Sequence, residues 1–218
     1  MVETRRQQIE SAASVLFRER GYAATSVRDI AQVLNLQGAS LYAHVASKED
    51  LLWSIVQRAA DRFEAAVAPI AAADAPSPER LRSMIRAHVG VVTDDLGNAV
   101  SFLDEWRFLS AERRTAVAAR RRRYERRFRQ VIAQGIRAGD FDASTDPGLA
   151  ARWMLSALNG IAVWYQPHGE LSPEAIADRY AALFLGGLTG PADPPPDRPR
   201  LDPPRLDPPR DRARRTDP

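Results

Sequence analysis

Hydrogen-bonding and small side chains are concentrated in residues 37–44, on one face of a predicted short helix. The outward residues of this face are Gln37, Gly38, Ala39, Ser40, Tyr42 and His44. Amides and hydroxyls pair with base edges and phosphate oxygens in DNA grooves. Leu41 and Val45 point inward with Leu36. The pattern favours DNA contact by Tyr42, whose alternative role is that of a half-buried aromatic in a small domain.

Two short helices joined by a tight turn must position this face. Thr25 or Ser26 can cap the first helix, which has its apolar residues at helical spacing. Asn35 falls where the chain must turn, and after Gly it is the residue that best tolerates left-handed backbone. Ser47 and Asp50 predict a capping box at the start of the following helix. The second helix of such a pair enters the DNA major groove.

Together these motifs resemble the amino-terminal domain of the TetR family of bacterial transcriptional regulators. The matching pieces are Gly21-Tyr22, Ser26-Val27-Arg28-Asp29-Ile30-Ala31, Ser40-Leu41-Tyr42-Ala43-His44 and Ser47-Lys48-Glu49-Asp50-Leu51-Leu52. The match extends over about 50 residues and is specific in combination. Asn35, Gln37 and Val45 depart from the usual pattern, in which Gly, Ser and Phe are common. Asn35 is sterically tolerable in the turn, and Gln37 alters the expected operator preference. Val45 makes the core of the small domain smaller.

The resemblance implies a role for each residue on DNA. We expect Lys48 to reach a backbone phosphate, as its family counterpart does, and Arg28 to do likewise. Base-edge contacts are expected of Gln37 and Ser40, and phosphate contacts of the other polar residues. Residues 1–50 hold six basic and six acidic residues, so DNA affinity must depend on where the cations lie. The expected DNA-binding set is Arg28, Gln37, Gly38, Ala39, Ser40, Tyr42, His44 and Lys48.

The composition excludes several classes of site. The 218 residues carry a net charge of +3 and no cysteine, which excludes disulfides, thiolate metal sites and cysteine nucleophiles. No apolar run could span a membrane, and none follows the amino-terminal arginines as in a secretory signal. Phosphate-binding glycine loops and hydrolase motifs are missing, and His88 and His168 lack partners at metal-ligand spacing. We therefore expect a soluble, cytoplasmic protein without a metal, cofactor or catalytic residue.

Helical periodicity runs through the chain, without an alternating strand pattern. The expected fold is all-α and TetR-like, with a three-helix DNA-binding domain (1–46) and a six-helix effector-binding and dimerisation domain (47–189). A Pro/Arg/Asp-rich tail (190–218) cannot bury enough apolar surface to fold. A loop is expected from Pro69 and a turn at Gly97-Asn98. The nine predicted helices cover residues 4–20, 27–34, 37–44, 48–68, 77 onward, 102–109, 111–138, 147–166 and 172–187.

An effector cavity is expected among predicted helices five to eight. Its apolar lining would come from Ile85, Val89, Phe102, Trp106, Tyr124, Phe128 and Trp153, with Asn159 as an orienting polar group. The arginine-rich run at 120–129 is compatible with a solvated helix surface, because long stems can cover apolar neighbours. The alternative is that Arg120, Arg123 and Arg127 neutralise the phosphates of an acyl-CoA at the cavity mouth.

The last two predicted helices carry more apolar surface than one core face requires. Trp153, Ala157, Gly160 and Trp164 recur along the eighth helix and can form core, dimer interface or cavity wall. We expect a two-fold dimer in which the eighth and ninth helices form a four-helix bundle. The residues expected at this interface are Leu155, Leu158, Ala162, Tyr165, Ile176, Tyr180, Leu183 and Phe184.

The residues and the resemblance together favour a DNA-binding transcriptional regulator, in the form of a homodimeric repressor released from operator DNA by a small apolar effector. Residues 164–187 also resemble a subgroup of the family linked to fatty-acid or sterol degradation, which indicates an acyl-CoA effector. Two alternatives remain open at this point. They are a helical enzyme that uses the cavity and a protein-binding adaptor.

Overall fold

The computed structural model describes residues 4–37 and 41–190, and within these ranges it contains helices and no strand. The α-helices are α1 (Arg5–Arg20), α2 (Val27–Val33), α3 (Lys48–Ala71), α4 (Ser77–Asp94), α5 (Leu96–Leu103), α6 (Ala111–Ala138), α7 (Pro147–Trp164) and α8 (Pro173–Leu188). A 3₁₀ helix, Glu105–Phe108, joins α5 to α6. The predicted all-α fold is confirmed. The predictions for Gly38, Ala39, Ser40 and the tail lie outside the described residues.

Polar side chains start most of the helices. The residues whose side chains accept a hydrogen bond from the first turn are Thr4, Ser26, Ser47, Asp95, Asp146 and Ser172. The Ser26 N–H in turn donates to Asp29 Oδ2 at 2.7 Å, which completes a capping box. Asn35 has φ of 53°, the left-handed turn that the sequence predicts. None of the helices in the described residues has the length and apolar character needed to cross a lipid bilayer.

α3 packs against both the amino-terminal helices and the rest of the bundle. Its predicted apolar face is buried: Leu52, Ile55, Val56, Ala59, Phe63 and Val67 are each at most 2 % exposed. These side chains join the core of α1 and α2 to that of α4–α8, so the buried apolar residues form one continuous cluster. The predicted domain boundary after residue 46 remains a prediction.

Three boundaries differ from the sequence-based predictions. α3 continues through Pro69 to Ala71, although Pro69 has no N–H to donate to the carbonyl oxygen four residues before it. α4 has Pro76 as its cap and Ser77 as its first helical residue, whereas the sequence predicts Ser77 as the cap and Pro78 as the first helical residue. The predicted turn at Gly97-Asn98 lies inside α5.

Gly97 sits inside a helix because it permits a close contact. A Cβ atom added there would lie 2.9 Å from the backbone carbonyl atoms and the hydroxyl oxygen of Ser14 in α1. Ser14 is buried. A glycine that signals a turn in the sequence therefore marks the place where α5 rests on α1.

We predict that Gly97→Ala lowers the free energy of unfolding by about 1–3 kcal/mol, because the added methyl group overpacks the α1–α5 contact. Gly90→Ala is the matched control within α4, since no atom lies within 4 Å of a Cβ atom added there. The control should raise stability by roughly 0.5–1 kcal/mol through helix propensity. Urea denaturation of both variants measures the difference, and equal effects would contradict the prediction.

Candidate DNA-binding surface and effector cavity

Three of the predicted DNA contacts, Arg28, Tyr42 and Lys48, line a shallow concavity beside the amino ends of α2 and α3. Residues 23–28, Tyr42 and Lys48 form it. Leu41 and Val45 are buried beneath it, as the sequence predicts. The members of the predicted DNA-binding set that are exposed are Arg28, Gln37, Tyr42 and His44. Their exposure leaves them accessible to DNA, and their individual roles stay predictions.

Lys48 is anchored in this concavity by carbonyl oxygens. Its Nζ donates to the carbonyl oxygens of Tyr22 and Thr25, both at 2.8 Å, and lies 4.1 Å from the centroid of the Tyr22 ring. Burial lowers the pKa of Lys48, and the nearby Glu105 carboxylate opposes that shift. An ammonium group has three donors. Two of them fix the side chain, which leaves the third for an outside acceptor such as a phosphate oxygen.

The 3₁₀ helix connects this surface to the remainder of the bundle. Phe108 stacks on Tyr22 with ring centroids 5.3 Å apart. At the carboxyl end of α5, the Arg121 guanidinium donates to the carbonyl oxygens of Phe102 at 2.8 Å and Leu103 at 3.2 Å. The same guanidinium lies 5.5 Å from the ring centroid of Trp106. The 3₁₀ helix therefore lies between the end of α5 and the ring on which Lys48 rests.

A cavity of about 280 Å³ lies among α3, α4, α5, α6 and α7. Its lining residues are Phe63, His88, Phe102, Leu103, Arg121, Tyr124, Glu125, Arg152, Leu155, Ser156 and Asn159. Phe63, His88 and Tyr124 are buried, whereas Arg152 and Ser156 are exposed and mark the mouth. The volume is near the lower end of the range for sites that bind small organic molecules.

Of the predicted apolar and amide residues, Phe102, Tyr124 and Asn159 line this cavity. Trp153 is 56 % exposed and packs edge-on against Phe184, with ring centroids 4.7 Å apart. Trp153 and Asn159 are six residues apart in α7, so their side chains lie about 120° apart around the helix axis. The two residues therefore point to different faces of α7. The predicted residues that do not line the cavity are Ile85, Val89, Trp106, Phe128 and Trp153.

Arg120 and Arg127 are bound to α3 instead of the cavity. Arg120 Nη1 donates to Gln57 Oε1 at 2.6 Å, and the same guanidinium pairs with Asp61. Arg127 Nε donates to Glu64 Oε1 at 3.0 Å, and this partner raises the pKa of Arg127. The prediction that these two arginines stand at the cavity mouth is therefore corrected. Their carboxylate partners could not be foreseen, because they lie more than fifty residues away in the sequence.

The guanidinium groups that line the cavity belong to Arg121 and Arg152. Arg121 is largely buried, and this burial lowers its pKa. Arg152 Nε donates to Glu125 Oε1 at 3.2 Å near the mouth. Arg123, the third predicted arginine, lines a narrow crevice together with Arg120, and this crevice shares Phe63, Phe102 and Tyr124 with the cavity. The cavity thus has cationic groups, but they come from other positions than those predicted.

Two lining residues that the sequence analysis missed left a detectable signal. His88 interrupts the apolar face of α4, where a polar side chain requires a buried partner. Arg121 lies at helical spacing from the buried Val117 and Tyr124, so it borders the inward face of α6. A polar residue on a buried helical face is therefore the pattern to look for.

His88 and Tyr124 form a neutral pair at the buried end of the cavity. His88 Nδ1 lies 3.0 Å from the Tyr124 hydroxyl oxygen. Burial lowers the pKa of His88 to about 3, against a smaller opposing effect of the Asn159 side chain. Burial also raises the pKa of Tyr124 well above its usual value, so both groups are uncharged at neutral pH.

An exposed apolar face covers the outer side of α7 and α8. Its residues are Leu149, Trp153, Val163, Trp164 and Leu183. Gly160, Gly186 and Gly187 have open space where a Cβ atom would lie. The predicted interface set differs, because its members Leu158, Ala162, Tyr165, Ile176 and Phe184 are buried within the protomer. Leu155 lines the cavity, which leaves Leu183 and the half-buried Tyr180 from that set on the outer side.

Two protein-family profiles match the chain. The profile described as "Tetracyclin repressor-like, C-terminal domain" matches residues 74–188, and "Bacterial regulatory proteins, tetR family" matches residues 9–55. The HTH-type transcriptional repressor KstR2 of Mycobacterium tuberculosis (strain ATCC 25618 / H37Rv) is 31 % identical over 86 % of this chain and 94 % of its own length. KstR2 of Rhodococcus jostii (strain RHA1) is 28 % identical over 86 % and 92 %.

Solved structures with the same architecture include that of the ketosteroid transcriptional regulator KstR2 of Mycobacterium tuberculosis. It has a TM-score of 0.82 and 30 % identity, covering 87 % of this chain and 97 % of its own. AibR, solved in complex with isovaleryl coenzyme A and operator DNA, has a TM-score of 0.74 and 30 % identity, covering 86 % and 100 %. Sequence and structure thus agree over nearly the whole length of these proteins.

We predict that His88 makes the protein lose stability in acid. Its pKa is about 3 in the folded chain and 6.5 in the unfolded chain, so below pH 6.5 the unfolded state binds a proton that the folded state refuses. The free energy of unfolding should therefore fall by up to about 1.4 kcal/mol per pH unit between pH 6.5 and 3. Urea denaturation at several pH values should give a shallower dependence for His88→Gln, whereas the exposed His168→Gln control should match the parent protein.

Proposed function

Because this chain belongs to the TetR family of bacterial regulatory proteins, we propose that it is a homodimeric repressor which a small apolar effector releases from operator DNA. A member of this family is a DNA-binding transcriptional regulator and not an enzyme. Regulators of this family bind effector ligands rather than cofactors. The repressor role requires a physical link between the effector cavity and the DNA-binding surface.

The observation that carries the proposal is that α3 reaches both sites. Lys48, its first residue, lies in the DNA-facing concavity, and Phe63 lines the cavity. Roughly 22 Å of helix separates the two residues. An effector that displaces Phe63 moves the amino end of α3 and so changes the spacing of the two DNA-binding surfaces in a dimer. A coupling of about 1–3 kcal/mol is typical and is sufficient for derepression.

The effector that we propose is an acyl-CoA with a small acyl group. Most of the cavity wall is apolar, and its volume of about 280 Å³ suits a short chain or a single ring. Arg121 and Arg152 border the cavity and can meet phosphate groups that remain outside it. AibR, whose fold is similar, was solved with isovaleryl coenzyme A. The KstR2 relatives support a role in sterol or fatty-acid metabolism.

The dimer that we propose uses the outer face of α7 and α8. This face holds the exposed apolar residues Val163 and Leu183, and its glycines leave room for the helices of a second copy. Four helices, two from each protomer, would then bury this surface in a two-fold bundle. The proposal keeps the two helices that the sequence predicts and changes the residues that meet.

We predict that Lys48→Ala weakens binding to all DNA sequences alike and lowers the slope of log affinity against log salt by about one, because one phosphate contact is lost. A footprint on DNA upstream of the protein's own gene supplies the operator, with half-sites roughly 34–36 Å apart. Arg5→Ala is the control, because it also removes a cation from the start of a helix, but from α1 instead of α3. A changed sequence preference in Lys48→Ala would show that the assigned role is wrong.

We predict that Val163→Glu converts the dimer into a monomer at micromolar concentration, because two carboxylates would be buried at the two-fold interface. Val15→Glu is the matched control, since Val15 is an exposed apolar residue of α1. Sedimentation equilibrium should show a dimer for the parent protein and the control. A monomeric parent protein would refute the homodimer.

We predict that short acyl-CoAs release the protein from its operator and that the matching free fatty acids require at least about tenfold more ligand, since they lack phosphates for Arg121 and Arg152. Arg152→Gln should reduce the difference between the concentrations of acyl-CoA and free fatty acid that are required, whereas the exposed Arg126→Gln control should not. Fluorescence anisotropy of labelled operator DNA measures release. Equal release by free acids would remove the arginines from the mechanism.

A further inference from the structure

One polar atom on the cavity wall lacks a partner. His88 is 1 % exposed, and its Nε2 is buried without a hydrogen bond of standard geometry among the described residues. The Asn159 side chain is close enough to favour the charged imidazole slightly, but burial dominates and keeps the ring neutral. A buried polar atom without a partner costs free energy unless something pairs with it. Because His88 lines the cavity, a bound ligand can supply that partner.

The other ring nitrogen decides which kind of partner is needed. His88 Nδ1 lies 3.0 Å from the Tyr124 hydroxyl oxygen, and Tyr124 keeps its proton because burial raises its pKa. The direction of this hydrogen bond follows from the imidazole tautomer. When Tyr124 donates to Nδ1, the proton of the neutral imidazole resides on Nε2. Nε2–H is then a buried donor on a residue that lines the cavity.

The rings packed beside this imidazole are apolar. Phe63 lies against the imidazole, with ring centroids 5.0 Å apart, and Phe102 packs on Phe63 at 5.4 Å. Arg121, which lines the same cavity, donates through Nη1 to the carbonyl oxygens of Phe102 and Leu103. A ligand carboxylate beside the imidazole would lose its hydration and meet an uncharged donor there, whereas a carbonyl oxygen loses much less on burial.

From this geometry we infer that the effector carries an uncharged carbonyl group on its apolar body and that His88 Nε2–H donates to the carbonyl oxygen. Tyr124 is a positioning residue, because its hydroxyl holds the imidazole in the required tautomer. This inference rests on the proposed function in one respect, namely that the cavity is the effector site. It adds the chemical feature by which an effector is selected from other apolar molecules of the same size.

Three probes of nearly the same shape test the inference without a coenzyme. Cyclohexyl methyl ketone carries the carbonyl group, isopropenylcyclohexane replaces its oxygen by a methylene group, and cyclohexanecarboxylate replaces its methyl group by a charged oxygen. We expect the ketone to bind at least about tenfold more tightly than either of the others, since only it satisfies the buried donor. Titrations followed by ¹H–¹⁵N NMR of the full chain give the three dissociation constants.

Variants at the histidine separate recognition from packing. His88→Leu should abolish the preference for the ketone over the alkene, and His88→Gln should restore part of it through an amide donor. Tyr124→Phe removes the hydroxyl that holds the imidazole proton on Nε2 and should reduce the preference for the ketone. His168→Gln should leave that preference unchanged. Thermal melts establish that each variant is folded. The ¹⁵N couplings of the His88 ring should place its proton on Nε2 in the ligand-free protein.

Alkene binding as tight as ketone binding, or a His88 proton on Nδ1, would overturn the inference. Operator release is measured separately by anisotropy, so the two proposals can fail independently. A protein that is released from DNA by acyl-CoAs but does not distinguish the ketone from the alkene refutes the carbonyl inference alone. A protein that selects the ketone but never binds operator DNA supports the inference and refutes the repressor proposal.

Discussion

The burial of one face of α3 constrains the rest of the structure. From Leu52 to Val67 this face is covered by α1 at one end and by α4, α5 and α6 at the other. Close-packed interiors do not absorb displacements gradually, so a helix buried along its length moves as a unit. Phe63 and Lys48 are therefore mechanically linked. In the proposed mechanism, a ligand beside Phe63 acts on the DNA-binding surface through α3 itself.

Arginines of α6 hold α3 in register from its outer side. Arg113, Arg120 and Arg127 recur at every seventh residue, which is close to two helical turns, and all three meet acidic residues of α3. Arg113 Nη2 lies 2.5 Å from Asp50 Oδ1 in the first turn of α3, and Glu49 Oε1 accepts from the Ser110 N–H. These contacts tie the DNA-proximal end of α3 to the start of α6. Any sliding of α3 along α6 must break several of them together.

Local sequence determines the helices and most of their ends. Ser26 and Asn35 mark the first helix of the DNA-binding pair and its turn, because capping bonds and left-handed backbone depend on a few adjacent residues. The apolar stripes of α1, α3 and α4 are likewise buried as their spacing predicts. Gly97 was misleading, since a glycine that signals a turn also permits the close approach of two helices. Only the position of α1 distinguishes the two cases.

The sequence by itself determined the all-α fold, the buried stripe of each helix and the motifs shared with the TetR family, because these follow from spacing along one chain segment. The tertiary structure decided which residues meet across helices. It joined Arg127 to Glu64, turned Trp153 outward and brought His88, Tyr124 and Asn159 from three helices to one cavity. Such contacts depend on the rotation and relative height of packed helices, and a rotation of about 100° per residue makes small differences decisive.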